Sequence, residues 1–185
     1  ICLSDGTYTE AIESTRSGQA GKPITVRALN DGKATIDGQG VRRPIQLGHD
    51  WWVIEGLVAR NGPTVIHVRG NNNVLRRVSA YDADVDDNSS VILLWGNNNL
   101  LEDAVAAGTG RYGIESYQGA NNVIRRAFVM WGAWDGRKFC GVHWPMGVGI
   151  GIYNASGAKV ENSISYGRAP YTGILVQANE DSATA

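Results

Sequence analysis

Trp52-Val53-Ile54-Glu55-Gly56-Leu57 is echoed down the chain by Asn73-Val74-Leu75-Arg76-Arg77-Val78 and Asn99-Leu100-Leu101-Glu102-Asp103-Ala104. Two further copies are Asn122-Val123-Ile124-Arg125-Arg126-Ala127 and Ala158-Lys159-Val160-Glu161-Asn162-Ser163. Equivalent positions Val53, Val74, Leu100, Val123 and Lys159 lie 21, 26, 23 and 36 residues apart, and Thr35-Ile36-Asp37-Gly38 reads as an earlier copy 18 residues before Val53. Periods in the twenties, with Asn/Gly turns between short apolar runs, are the signature of a solenoid whose coils each add strands to parallel sheets. Strands of constant length and turns of variable length explain why the period drifts while the pattern holds. The sequence therefore predicts an all-β, right-handed parallel β-helix of roughly seven coils.

Working outward, residues 1–22 read as an opening coil, and residues 23–185 as stacked coils interrupted by a long loop at 130–147, all in one domain. A second strand precedes each copy: Pro44–Leu47, Val65–Arg69, Val91–Trp95, Ile114–Gln118, Ile150–Tyr153 and Ile174–Gln177. The repeated Gly113-Ile114, Gly149-Ile150 and Gly173-Ile174 share one register, while the coils at Val65 and Val91 allow a one-residue shift that would exchange their faces. Gly48, Gly70, Gly96 and Gly119 fall between strands, where turns of positive φ would call for glycine. Both ends of the chain carry strand character, so it reads as cut from something longer and open to head-to-tail self-association through its unpaired edges.

Charge is nearly balanced, with 17 Lys+Arg against 18 Asp+Glu. That gives no nucleic-acid footprint, and no apolar run is long enough for a membrane helix. Two cysteines, Cys2 and Cys140, make no disulfide framework. Gly108-Thr109-Gly110-Arg111-Tyr112-Gly113 matches a dinucleotide fingerprint, but a strand rather than a helix follows it, so the match is dismissed.

Stacking puts equivalent residues about 4.8 Å apart. The column Asp37, Glu55, Arg76, Glu102, Arg125, Glu161 alternates in sign from Glu55 onward, and beside it stand Arg77, Asp103 and Arg126. Ion pairs that hold register account for these better than an acid/base array. Asn72, Asn98 and Asn121 recur at one turn position and read as a hydrogen-bonded scaffold ladder.

Candidate chemistry lies elsewhere. The outward side of the strand before each copy shows His67, Arg69, Trp95, Glu115, Tyr117, Tyr153 and Gln177. Aromatic faces with hydrogen-bonding groups along a flat sheet suit sugar rings. An Arg neutralises a sugar carboxylate while Tyr or His moves a proton, so His67, Arg69, Glu115, Tyr117 and Tyr153 are the catalytic candidates. A purely stabilising aromatic stack is the alternative. Trp131, Trp134, Arg137, Lys138, His143 and Trp144 crowd the long loop and would wall a groove, with Trp95 and Gln177 as further substrate contacts. Asp82, Asp84, Asp86 and Asp87 crowd one loop and offer oxygen ligands for Ca²⁺. An EF-hand is excluded, because its sixth position is Asp87 rather than Gly and its twelfth is Leu93 rather than Glu.

Gly6-Thr7-Tyr8, Gly21-Lys22-Pro23-Ile24-Thr25-Val26-Arg27-Ala28, Ala34–Gly38 and Trp52–Gly62 together resemble the opening coils of secreted bacterial β-helix proteins. They are similar to the N-terminal coils of the alginate lyase and chondroitinase B type of polysaccharide lyase. The resemblance covers about the first third of the chain and identifies the scaffold better than the activity. It implies an extracellular or cell-surface protein whose partner is an acidic polysaccharide, cleaved by a Lys/Arg pair, often with Ca²⁺, on later coils. The competing expectation is a non-catalytic structural, adhesive or filament-forming β-helix.

Overall fold

A computed structural model describes residues 1–84, 88–131, 138–139, 142–143, 147–167 and 172–178. Three parallel sheets of seven strands each run the length of the stack. The first holds Cys2–Leu3, Ile24–Ala28, Trp52–Glu55, Val74–Arg76, Leu100–Glu102, Val123–Arg125 and Lys159–Glu161. The second holds Gly6–Tyr8, Ala34–Asp37, Leu57–Gly62, Ser79–Ala83, Val105–Gly108, Phe128–Trp131 and Ile164–Tyr166. The third holds Ile12–Glu13, Ile45–Leu47, Ile66–Val68, Ser90–Leu94, Tyr112–Tyr117, Val148–Tyr153 and Thr172–Gln177. The chain visits the sheets in that order on every coil, giving seven rungs of a parallel β-helix with no helix among the described residues.

Register explains the core. Ile12, Ile45, Ile66, Ile92, Ile114, Ile150 and Ile174 pair rung to rung in one unbroken interior column of the third sheet. Facing it, Val26, Ile54, Leu75, Leu101, Ile124 and Val160 form the interior column of the first sheet. The second sheet narrows the interior with Ala59, Ala80 and Ala106, each wholly buried. Burying each large aliphatic side chain contributes about 1.5–3 kcal/mol, and β-branched Ile suits both the extended backbone and its own copy one rung away.

The same pairing corrects three expectations. Thr25, not a residue of the Thr35–Gly38 segment, pairs with Val53, and Ala34–Asp37 belongs to the second sheet. Arg27 therefore heads the charged column in place of Asp37, whose rung neighbour is Arg60. Val65 and Val91 are not shifted, because Ile66 and Ile92 align with Ile114. Gly70, Gly96 and Gly119 do not adopt positive φ; that conformation falls on their neighbours Asn72, Asn98 and Asn121, at 57°, 55° and 56°. At Gly70 and Gly96 a Cβ would land on the carbonyl oxygens of His49 and Gly70 respectively. Close stacking of backbone, not turn geometry, demands glycine there.

The corner between the third and first sheets carries the ladder that holds this stack. Wholly buried Asn73, Asn99 and Asn122 pass hydrogen bonds along it. Trp52 N donates to Asn73 Oδ1 at 2.7 Å, Asn73 N to Asn99 Oδ1 at 2.8 Å, and Asn99 N to Asn122 Oδ1 at 2.9 Å. The amides of Asn99 and Asn122 donate in turn to the carbonyls of Gly70 and Gly96. The expected ladder of Asn72, Asn98 and Asn121 is the outer, exposed companion, with one Asn121-to-Asn98 amide bond at 3.3 Å.

Asn99→Ala strips the buried Asn73 N–H and the Gly70 carbonyl of their partners. It should cost about 2–5 kcal/mol, since each buried group left unsatisfied costs about 1–3 kcal/mol. Asn98→Gly, one residue away in the left-handed conformation, should change stability by less than about 1 kcal/mol. Denaturant unfolding of the two variants checks the contrast, and equal losses would contradict it.

Candidate functional site

The outer face of the third sheet collects chemically active side chains in two columns. Gln46, His67, Leu93, Glu115, Gly151 and Leu175 pair in succession. One position past the paired interior residues Val68 and Leu94 come Arg69 and Trp95, and the column continues through Tyr117, Tyr153 and Gln177. His67, Arg69, Trp95, Glu115, Tyr117, Tyr153 and Gln177 are thus brought onto one face.

Their geometry differs from an open aromatic platform. The Tyr117 and Tyr153 rings stack on each other, with centroids 5.4 Å apart and planes 17° apart. Trp95 meets Tyr117 edge-on at 5.1 Å and 88°. The Arg69 guanidinium lies over the Trp95 ring at 5.1 Å, and the His67 ring is 5.9 Å from it. Each ring has a face or edge taken by a neighbour, and beside these contacts the column offers hydroxyls and a guanidinium. Gln118 Nε2 donates to Tyr117 Oη at 3.2 Å, extending the polar rim.

In the other column, His67 and Glu115 are buried, at 5% and 8% exposure, with Leu93 on the rung between them. Burial drives the His67 pKa down to about 4, assisted by Arg43 and Arg69, so the ring is neutral at neutral pH. Neither ring nitrogen has a hydrogen-bond partner among the described residues. Burial pushes the Glu115 carboxyl up, opposed by a 2.6 Å hydrogen bond from Ser90 Oγ and by the charge of Arg111.

Past the opening coil, the long insertions beside this face leave from the corner between the second and third sheets. The long loop departs after Trp131 and returns at Val148, and within it Lys138–Phe139 pairs antiparallel with Val142–His143. Trp131, Lys138 and His143 thus have described backbone, whereas Trp134, Arg137 and Trp144 lie outside the described residues, as does Cys140. At the same corner a groove of about 660 Å³ is lined by Asp37, Gln39, Asn61, Asp82, Asp84 and Thr109, among others. Asp86 and Asp87 lie outside the described residues. No group of three or more metal-ligating side chains is found among the described residues. Gln177 belongs to a separate groove of about 550 Å³ at the last rung, shared with Gln118, Asn154 and Ser156.

The charged face of the first sheet is a lattice of ion pairs. Arg76, Glu102 and Arg125 are rung neighbours, as the repeat requires. Glu102 accepts from Arg125 at 2.6 Å and from Arg126 at 3.0 Å, and Arg126 also bonds Asp103 at 2.6 Å. Arg77 bridges Glu55 and Asp31. The Arg125 hydrogen bond, joined by Arg126, holds Glu102 below the ordinary carboxylate range against the cost of its burial. Pairs with arginines this exposed contribute roughly 0.2–1 kcal/mol each. They serve as register locks.

The chondroitinase B family model matches residues 1–113, more than half of the chain. The chain belongs to the chondroitinase B family. That match extends well past the first third on which the resemblance rested. Among solved structures, an alginate lyase from Paenibacillus sp. str. FPU-7 aligns at a TM-score of 0.54 with 18% identity. Pectate lyase Pel9A aligns at 0.56 with 15% identity, and each alignment covers 98% of this chain and 70% of the other. At such identity the likeness is one of fold: the polysaccharide-lyase type of β-helix. No curated protein sequence matches the chain, and no helix among the described residues is long and apolar enough to cross a membrane.

His67 should leave a signature in acid. Its folded pKa lies below the ordinary histidine value, so between about pH 6.5 and 4 the unfolded chain binds a proton that the folded chain refuses. Stability should therefore fall as pH drops through that window and level off below it. Comparing denaturation of the parent protein with His67→Gln isolates the effect, because the variant should lose less stability across the same interval. Parallel pH profiles would refute the assignment.

Proposed function

We propose that this protein is a secreted, carbohydrate-active β-helix that acts as a polysaccharide lyase on an acidic polysaccharide bound along the outer face of the third sheet. The observation that carries the reading is the continuous outward column Arg69–Trp95–Tyr117–Tyr153–Gln177, which aligns a cation, two phenols and an amide along a flat surface. Corner insertions on one side would give that surface a wall, to which Trp131, Trp134, Arg137, Lys138, His143 and Trp144 would contribute. Ca²⁺ held by Asp82, Asp84, Asp86 and Asp87 is part of the same proposal.

Lyase chemistry removes the proton next to a sugar carboxylate, and the electron pair left behind forms a C=C bond. The adjacent glycosidic C–O bond breaks, and the leaving oxygen takes a proton. A nearby positive charge must stabilise the carboxylate as charge builds on it. Arg69 supplies that charge, and Tyr117 and Tyr153 are the proton-moving groups closest to it along the column. The burial of both His67 nitrogens favours the tyrosines in that role. Glu115, pushed toward its protonated form, lines the surface beside them.

Incubation with a panel of acidic polysaccharides should generate unsaturated ends that absorb in the ultraviolet. Tyr117→Phe and Arg69→Gln should each slow their formation by about a hundredfold or more, with thermal stability nearly unchanged because both side chains reach solvent. Binding without any ultraviolet-absorbing product across the panel would reduce the protein to a carbohydrate-binding module.

A second, non-catalytic reading rests on the last rung. Ile174 and Val176 continue the interior columns of Ile150 and Ile152 yet are 50% and 76% exposed. A further rung would cover them, supplied either by more chain or by a second copy docking end to end. In the latter case light scattering across a concentration series should show growing assemblies that Val176→Lys abolishes. A monodisperse monomer at high concentration would discard this reading.

A further inference from the structure

A second binding feature begins where the tyrosine column starts, on the second and third rungs of the third sheet. Arg43 and Arg69 are both exposed, and neither has a carboxylate within ion-pair distance among the described residues. Arg60, Arg77, Arg125 and Arg126 each hold Asp or Glu, whereas Arg43 and Arg69, like Arg76 on the first sheet, do not. Arg43 Nη1 reaches only Gln46 Oε1, at 3.4 Å, and Gln46 is the rung neighbour of His67. Arg69 lies two residues beyond His67 on the same face, pinned over the Trp95 ring that His67 also approaches. Between the two cations is a histidine more than nine-tenths buried, whose two nitrogens make no hydrogen bond among the described residues.

A buried imidazole with both nitrogens idle is costly, because each polar group loses its water without gaining a partner. Two unpaired guanidinia beside it add mutual repulsion. An anion relieves most of this: it pairs with the two arginines and accepts the imidazole N–H, leaving only the acceptor nitrogen idle. Arg side chains re-orient quickly, so the two can fold over an incoming group and expose the ring edge beneath them.

We propose that Arg43, His67 and Arg69 form a seat for a single anionic substituent of an acidic sugar, a carboxylate or a sulfate ester. The seat rests on the polysaccharide reading above and adds to it an anchor two rungs from Tyr117: Arg43 and His67 hold the charged group, and Arg69, lying over the Trp95 ring that meets Tyr117, is shared between that anchor and the reacting unit. Planar guanidinium forks match carboxylates bidentately, and Trp95 holds Arg69 in a position from which it can do so.

The remaining ionisable groups on that column are Glu13, the rung neighbour of Gln46, and Glu115, beyond Leu93. Neither lies within ion-pair distance of Arg43 or Arg69. They would repel an anion weakly and set an upper bound on its pull.

The test is calorimetric titration of the whole protein with three probes: an unsulfated oligouronate, a sulfated but uronate-free oligosaccharide and a neutral oligosaccharide. Arg43→Gln and Arg69→Gln, both on exposed side chains, should each weaken binding of the preferred charged probe about tenfold without lowering the melting temperature. Arg43→Lys should restore part of the loss. In the parent protein the probe should also shift the His67 ring resonances and raise their titration midpoint from about 4. Preference for the oligouronate assigns a carboxylate seat and preference for the sulfated probe a sulfate seat; both support the proposal. Equal affinity for the neutral probe, or charged-probe affinity indifferent to Arg43→Gln, overturns it. Because Arg43 has no part in the elimination chemistry, an active lyase with unchanged Arg43→Gln binding sinks the seat alone. An inactive protein whose binding still depends on Arg43 sinks the lyase reading alone.

Discussion

Every rung of this molecule must lay its backbone on the one before it, in register, at one strand separation. Each side chain therefore has its own equivalent from the neighbouring coil as its principal contact. That rule selects what can be repeated. Seven isoleucines in a column are mutually favourable, since β-branched side chains of identical shape pack on each other. Buried polar groups are tolerated only if each hands its hydrogen bond to the next. Asn73 and Asn99 do so, each donating its backbone N–H to the side-chain oxygen of the next asparagine, the last of which is Asn122.

The rule binds the sheets and leaves the corners unequal. At the corner between the third and first sheets, asparagine ladders and stacked glycines leave little room for change, because a single Cβ would collide with the backbone of the rung below. At the corner between the first and second sheets, a left-handed residue turns the chain on five consecutive rungs. It is Gly56, Arg77, Asp103, Arg126 or Asn162 in turn. Past the opening coil, where the connections at 14–23 and 29–33 are also longer, the corner between the second and third sheets takes the most variable lengths of chain. The acidic loop, the long insertion and the groove lined by Asp37, Asn61 and Asp82 gather there, beside the outer face of the third sheet.

Electrostatics divides the surface along the same lines. On the first sheet the charges close on themselves, with Glu102 shared by two arginines and Arg77 shared by two carboxylates. Most charges on that face are compensated within it, Arg76 being left over. On the third sheet the charges stay open: Arg43 and Arg69 lack carboxylates, Glu115 is buried with one hydroxyl, and His67 has no polar partner among the described residues. The scaffold stabilises itself on one face and tolerates unsatisfied groups on another, the pattern expected where polar surface is kept for a ligand.

The repeat, the parallel stacking, the isoleucine register from Ile114 to Ile174 and the alternation of Glu55, Arg76, Glu102 and Arg125 were all legible in the sequence, because rung-to-rung contact imposes one-dimensional order. The family was legible for the same reason, carried by scaffold motifs in the opening coils. Tertiary structure decided what lies across that order. Sequence spacing could not place Thr35–Asp37 on the second sheet, since a coil's internal turns have no fixed length. It could not distinguish the buried Asn73, Asn99 and Asn122 from the exposed asparagines one position earlier, since both columns repeat equally well. Nor could it show that Tyr117 and Tyr153 turn their faces to each other, or that Arg76, flanked by Glu55 and Glu102, is left out of both ion pairs. Those outcomes depend on side-chain direction around a left-handed turn and on competition among neighbours for one partner. Both are settled in three dimensions, after the repeat has set which residues meet.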